Sequence, residues 1–314
     1  MPYVKRTIFT ISVACFLISV LNGQPIPQKP VSFRVFTPFI FNPAVTGSHD
    51  YGSLDLDVSF QGESKAQLAS LNTRLTRARQ GYFSSPGQVT YLNSGMGGYI
   101  FRKKNPVFHT SGAGFSYAYH IPLNRTNFSF LAFGAALKGY FTSPGESGGS
   151  EPAGTSVKGL HPDMDLGAYY YGTNFYAGFS STSIFGRRQE VQPGEFALPV
   201  SRQYFLLTGY KFIIAKSLSI IFEPSLISRF DSFKLQKAVK NFKPVLKLYM
   251  QDFCIGTYFH DKDKNAFFFQ YRYPRFHLGG YFALPKESPY YPKDVIVEIT
   301  AGITFAVDKA RLAQ

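Results

Sequence analysis

The side chains best suited to acid–base or metal chemistry in this 314-residue chain are its six histidines, His49, His109, His120, His161, His260 and His277. No pair of them has the H-x-x-x-H spacing that sets two imidazoles on one helix face around a metal. The run Asp261-Lys262-Asp263-Lys264-Asn265 begins like a calcium loop. Ala266 stands where that loop needs glycine, and Arg272 where it needs a bidentate glutamate, so it reads as a charged hairpin tip. Gly95-Met96-Gly97-Gly98 lacks the strand-to-helix context of a phosphate loop and reads as strand glycines against close neighbours. No serine or cysteine nucleophile elbow occurs, and nothing pairs an acid with a base. The expectation is a chain that is no enzyme and takes no cofactor and no metal.

Basic residues offer another chemistry. Lys234, Lys237, Lys240, Lys243 and Lys247 form a series, and Arg187-Arg188 and Arg102-Lys103-Lys104 form clusters. Each could hold anions, whether lipopolysaccharide phosphates or an acidic partner protein, or could simply be a solvated loop. Nucleic acid is not an expected partner, because the chain is read as exported. Lys5 and Arg6 precede the uncharged apolar run Ile8–Leu21, and Pro25 and Pro27 follow it. That is a signal peptide over residues 1–23, with cleavage near Gly23. Cys15 lies inside the apolar run, which argues against a lipoprotein. Cys254 is then the only cysteine of the mature chain, so no intrachain disulfide is possible.

Something must hold these groups in place. Hydrophobic residues make up 45% of the chain and aromatics 17%, which excludes disorder. Charged residues are only 17%, although the net charge is +14. The longest uncharged stretch after the signal, Leu166–Gly186, carries Gly, Asn, Thr, Ser and Tyr throughout and is too polar for a spanning helix. A closed barrel is the other way to cross a bilayer, since lipid offers no hydrogen bonds to the backbone.

Alternation supports the barrel. In Ser53–Gln61, Leu54, Leu56, Val58 and Phe60 oppose Ser53, Asp55, Asp57, Ser59 and Gln61. Gly112–Ile121, Lys243–Met250 and Asp294–Phe305 show the same period of two. With ten further runs this predicts an all-β transmembrane antiparallel barrel of about 14 strands. The domain reading is a signal peptide (1–23), a short periplasmic N-terminal extension (24–52), the barrel (53–305) and a C-terminal tail (306–314). Phe205–Leu207, Ile220–Phe222 and Phe267–Phe269 break the alternation, as strands covered on both faces would. Short turns such as 171–174 and 215–217 are expected at one end. The long loops 143–159, 187–201 and 284–293 are expected at the other. Asn42, Pro43 and Gly47 are read as a structural turn that sets the extension at the periplasmic mouth, where it could plug the lumen. Asp55, Asp57, Lys243, Lys247 and Glu298 are read as possible lumen-facing residues.

Several phrases then occur in order. They are Phe41-Asn42-Pro43-Ala44-Val45-Thr46-Gly47-Ser48, Tyr117-Ala118-Tyr119, Pro162-Asp163-Met164-Asp165-Leu166-Gly167-Ala168-Tyr169-Tyr170 and Asn174-Phe175-Tyr176-Ala177-Gly178-Phe179-Ser180. Gly209–Phe212, Glu223–Ser225 and Phe253–Tyr258 follow. Together they resemble the PorP/SprF family of type IX secretion outer-membrane proteins, with its N-P-A-x-x-G opening, S-Y-A-Y strand and "P-D-x-x-x-G-x-Y-Y … N-F-Y-x-G-x-S" hairpin. Glu63–Gln88 departs from the family's usual pattern.

The resemblance implies a bacterial outer-membrane barrel with no catalytic residues. It implies a role in the export or surface attachment of a partner protein, such as a gliding adhesin with a C-terminal sorting domain. The translocon, or periplasmic components linked to peptidoglycan, would be further partners, with outer-membrane lipid and lipopolysaccharide around the barrel. The alternative is a porin or hydrophobic-solute transporter, whose lumen the charged residues named above would keep wet. A soluble glycan-binding sandwich is the third reading, opposed by outward faces rich in aromatics and poor in charge.

Overall fold

Burial is inverted along the first strand. Leu54, Leu56 and Phe60 are 40%, 55% and 39% exposed, whereas Asp55 and Asp57 are 6% and 1% exposed. A soluble protein buries the other set. A strand with lipid outside and packed protein inside buries this one. The computed structural model describes residues 36–49, 51–78, 89–104, 106, 108–124, 129–144, 159–185, 202–230, 242–261, 264–273, 275–285 and 295–305.

Among these residues fifteen strand segments follow in chain order. They are β1 (Gly52–Gln61), β2 (Ser64–Ala78), β3 (Val89–Lys104), β4 (Phe108–Asn124), β5 (Ser129–Pro144), β6 (Gly159–Tyr171), β7 (Phe175–Thr182), β8 (Gln203–Tyr210), β9 (Phe212–Ala215), β10 (Ile220–Phe230), β11 (Phe242–Met250), β12 (Phe253–Asp261), β13 (Lys264–Tyr273), β14 (Phe276–Pro285) and β15 (Ile296–Phe305). β8 and β9 are two lengths of one stave, since both pair with β10. They part at Lys211, whose backbone N–H turns aside to Asn174 O at 2.7 Å. Fourteen antiparallel staves result. The sheet closes where β1 meets β15, from Gly52↔Phe305 to Gln61↔Ile296. Closure leaves no strand edge, which is what permits strands in hydrocarbon. Among the described residues no helix is long and apolar enough to cross a membrane.

β1 begins and β15 ends at the same mouth of the barrel. Connections 172–174, 216–219 and 251–252 at that mouth are short, while 145–158, 183–202 and 286–295 at the opposite mouth are long. Short periplasmic turns and long outer loops are the arrangement of outer-membrane barrels, so the mouth bearing the strand termini is periplasmic. One long connection, 79–88, lies at the periplasmic end, against the expected pattern. Residues 1–23, read above as a signal peptide, residues 24–35 of the expected extension and the expected tail 306–314 lie outside the described residues.

The broken alternations have a physical cause: the lumen is partly apolar. Phe268 is 3% exposed between Phe267 and Phe269 at 54% and 41%. It packs inward with Val245, Tyr258, Tyr281, Ala283 and Ile296. A second inner cluster joins Phe39, Ile40, Phe41, Ala44 and Val45 to Leu68, Tyr99, Tyr169, Tyr176 and Phe205. Leu207 packs against both clusters, so apolar side chains meet across the barrel at that level.

Candidate functional site

The residues that occupy the lumen come from the chain's own N-terminal segment. Pro38 and Pro43 each open a 3₁₀ turn, Pro38–Ile40 and Pro43–Val45. Proline suits that first position because its φ is preset and its missing N–H is not needed there. Asn42 caps the second turn, its Oδ1 accepting from Ala44 N at 3.0 Å. Its Nδ2 donates to Ala168 O on β6 at 3.1 Å. Gly47 has φ +70°, a left-handed conformation that lets the chain leave the turn towards β1.

Polar groups of the wall complete the fit. Ser180 Oγ donates to Phe41 O at 2.7 Å, and Gly47 N donates to Asn72 Oδ1 at 2.8 Å. Thr46 Oγ1 donates to Ser116 Oγ at 2.9 Å. His120 Nε2 lies 2.9 Å from Thr46 O, which can only accept, so Nε2 carries the proton. In the neutral ring Nδ1 then accepts from Tyr171 Oη at 2.9 Å. These bonds satisfy backbone groups that would otherwise be buried without water.

Space is as specific as bonding. A Cβ on Gly134 would overlap the Pro43–Ala44 peptide, one on Gly95 the Thr46 carbonyl, and one on Gly167 the Asn42 carboxamide. A Cβ on Gly178 would come within 2.7 Å of Asn42 Nδ2. The glycines form a groove on β3, β5, β6 and β7 into which the Asn42–Gly47 turn fits. The sequence motifs that look unrelated along the chain are thus two sides of one contact.

Between this segment and the wall, at the periplasmic mouth, lies a cavity of about 420 Å³. Phe36, Lys211, Glu223, Lys247, Arg272 and His277 are among the residues lining it. His49 opens onto it from the segment and packs against Tyr51, with ring centroids 5.1 Å apart and planes tilted by 40°. Arg272 donates to Tyr51 Oη at 2.7 Å. The surrounding wall, and then the charges of Arg272 and Lys211, lower the His49 pKa from 6.5 to about 4.

The residues expected to face the lumen do not form one cluster. Asp55 Oδ1 pairs with His277 Nε2 at 2.6 Å. Glu298 Oε1 accepts from Ser59 Oγ at 3.1 Å. Asp57, beside both acids, has neither carboxyl oxygen within a hydrogen bond. On the other side of the mouth Lys247 Nζ bonds Glu223 Oε1 at 2.9 Å, and Tyr176 Oη donates to the same oxygen at 2.7 Å. Lys243 stands opposite Ile227, half-buried on the same inner register.

Sequence reasoning quoted Glu223, Asp163 and Asp165 only within family phrases and gave neither them nor Lys138 and Tyr140 a place in the lumen. There Lys138 Nζ bonds Asp165 at 2.5 Å and lies 3.6 Å from Asp163, while Tyr140 Oη donates to Asp163. Charges at inward parity in mid-strand were the available signal, but parity alone names no partner. Among the described residues no three His, Cys, Asp or Glu side chains stand together as metal ligands.

A model of type IX secretion system membrane protein PorP/SprF matches residues 28–302. No curated protein matches the chain in sequence. Among solved structures the chain is similar to the KdgM porin at 9% identity and TM-score 0.35, over 81% of this chain and 99% of that one. It is similar to the NanC porin at 8% and 0.35, over 81% and 98%. It is also similar to BamA from Haemophilus ducreyi lacking POTRA domains 1–3, at 12% and 0.37, over 81% and 70%. With the motif residues assembled around the N-terminal turn and the family match spanning nearly the whole barrel, the chain belongs to the PorP/SprF family of type IX secretion membrane proteins, as an outer-membrane β-barrel.

Proposed function

We propose that this barrel is a non-enzymatic accessory component of type IX secretion. It supports export or surface attachment of a partner protein, such as a gliding adhesin, by holding that cargo's C-terminal region or a periplasmic adaptor. Family membership supports the secretion role. The observation that carries the reading is the N-terminal segment seated in the glycine groove, because it takes the space a solute pathway would need. A barrel filled by its own chain is suited to be a platform with two faces rather than a conduit. The segment enters at the periplasmic mouth, where Asn42, Pro43 and Gly47 hold it, and an adaptor there would meet both the segment and the rim.

The test is removal of residues Gln24–Thr46 from the mature chain. Cargo display on the cell surface is expected to fall while the barrel still assembles, as read by heat-modifiable gel migration. Unchanged display would count against the proposal. Conductance of the intact protein in planar bilayers separates the porin reading: a wide steady pore, with secretion intact in a deletion strain, would favour that alternative.

A further inference from the structure

The lipid-facing surface of β2, β3 and β4 changes character in three successive rows. Ala69, Ile100 and Ala113 lie side by side in register and form an apolar row, with Ile100 63% exposed. About 7 Å further towards the outer mouth, two residues along each strand, the row is Gln67, Arg102 and Ser111. The next is Lys65, Lys104 and His109. Lys65, Arg102 and Lys104 are exposed. The flanking outward positions, Phe60 on β1 and Phe141 on β5, are exposed aromatics. The hydrocarbon band therefore ends at Ile100, and the cations begin where the outer leaflet's head groups lie.

Lys65 and Lys104 are directly opposite, and Arg102 is diagonal to Lys65. Like charges across a strand pair are destabilising, and no ion pair relieves them among the described residues. The nearest acid in sequence, Glu63 in the β1–β2 turn, makes no ion pair with them. Among the described residues Lys65 Nζ meets the Phe60 ring, 5.9 Å from its centroid. Such a row calls for an external anion at the level of the head groups. Guanidinium and ammonium groups grouped in this way match phosphate. We propose that Lys65, Arg102 and Lys104 form a binding site for the phosphate groups of lipopolysaccharide, with His109 as a flanking contact. The acyl chains then lie along the Ile100–Phe115 face. The site does not depend on the secretion role. It anchors the barrel laterally in the outer leaflet on the strands whose inner side carries the Gly95–Gly97 part of the segment's groove.

The full mature chain, folded in lipopolysaccharide-free detergent, is titrated with lipid A, dephosphorylated lipid A, phosphatidylglycerol and inorganic phosphate, with native mass spectrometry and thermal unfolding as readouts. Lipid A is expected to bind at least tenfold more tightly than its dephosphorylated form and to raise the melting temperature. The variant K65Q/R102Q/K104Q, checked for heat-modifiable migration, is expected to lose that tenfold preference, and K65R/K104R to keep it. Equal binding of the two lipid A forms overturns the site. So does a folded triple variant that binds as the wild type does. Full competition by millimolar inorganic phosphate overturns the lipid as its occupant. Should the triple variant fail to fold, the comparison of the two lipid A forms on the wild type decides alone.

Discussion

The Asn42 carboxamide occupies the space a side chain on Gly167 would need, so one residue in the N-terminal segment and one in the central hairpin are fitted to each other. Asn42 cannot readily withdraw, because its oxygen caps the Pro43–Val45 turn and its nitrogen is bonded to Ala168 O. A Gly167→Val substitution is expected to expel the turn while leaving the β5–β6–β7 ladder paired. Overpacking of this kind costs about 1–3 kcal/mol. Limited proteolysis is the measurement: cleavage in residues 36–49 is expected to speed up about tenfold or more, with heat-modifiable migration retained.

From the other side of the same contact, Asn42→Ala removes the cap and the bond to β6. Loss of a helix cap costs about 1 kcal/mol and the second hydrogen bond about as much. Hydrogen exchange at Ala44–Gly47 is expected to accelerate, with exchange in β10–β13 unchanged. An effect spread evenly over the barrel would show that the segment is not a separable unit.

Asp57 and Asp55 sit two residues apart on one face, with opposite expectations. Asp57 is buried with both carboxyl oxygens unbonded, whereas Asp55 is held by His277 and Ser53. An unpartnered buried polar group costs about 1–3 kcal/mol, more when charged. Asp57→Asn is therefore expected to stabilise the folded barrel, and Asp55→Asn to destabilise it. Urea unfolding from detergent micelles gives both signs in one assay.

The Lys247–Glu223–Tyr176 group predicts non-additivity. Lys247→Met leaves Glu223 buried with Tyr176 as its remaining donor, and breaking a buried pair from one side costs about 3–5 kcal/mol. The double variant Glu223→Gln with Lys247→Met is expected to recover most of that loss, since the stranded charge is gone. A double-mutant cycle on unfolding midpoints measures it.

His49 makes the periplasmic contact sensitive to acid. Its folded pKa, about 4, lies below the unfolded value of 6.5, so the unfolded chain binds the extra proton first. The His49 contribution is present above pH 6.5 and is lost as the pH falls towards 4. Proteolysis of the segment is expected to be faster at pH 4.5 than at pH 7.5, and His49→Gln to flatten that difference. The reverse slope would mean that His49 gains a carboxylate partner instead.

The architecture was legible because it follows from local pattern. Leu54, Leu56 and Phe60 against Asp55 and Asp57 fix which face meets lipid, and fourteen such runs require closure, since lipid leaves no strand edge unpaired. Where the alternation breaks, the expectation of strands covered on both faces agrees with an inner environment that is itself partly apolar. Phe268 and Phe205 look like faults in alternation until the inward clusters they join are known. The site was legible only in part. Asn42, Pro43 and Gly47 announce a turn by their backbone preferences alone, but nothing within that stretch says that Gly95, Gly134, Gly167 and Gly178 are its mould.

Period and charge parity, properties of neighbours in the chain, determined the barrel and its lipid face, and the order of phrases from Asn42-Pro43-Ala44 to Phe253–Tyr258 pointed to its family. Partners were decided by tertiary structure. Stave register brings Lys247 to Glu223 and sets Lys65 against Lys104. Closure brings Ser59 to Glu298, 239 residues away. Such pairings depend on how strands slide and wrap, which no short window of sequence records.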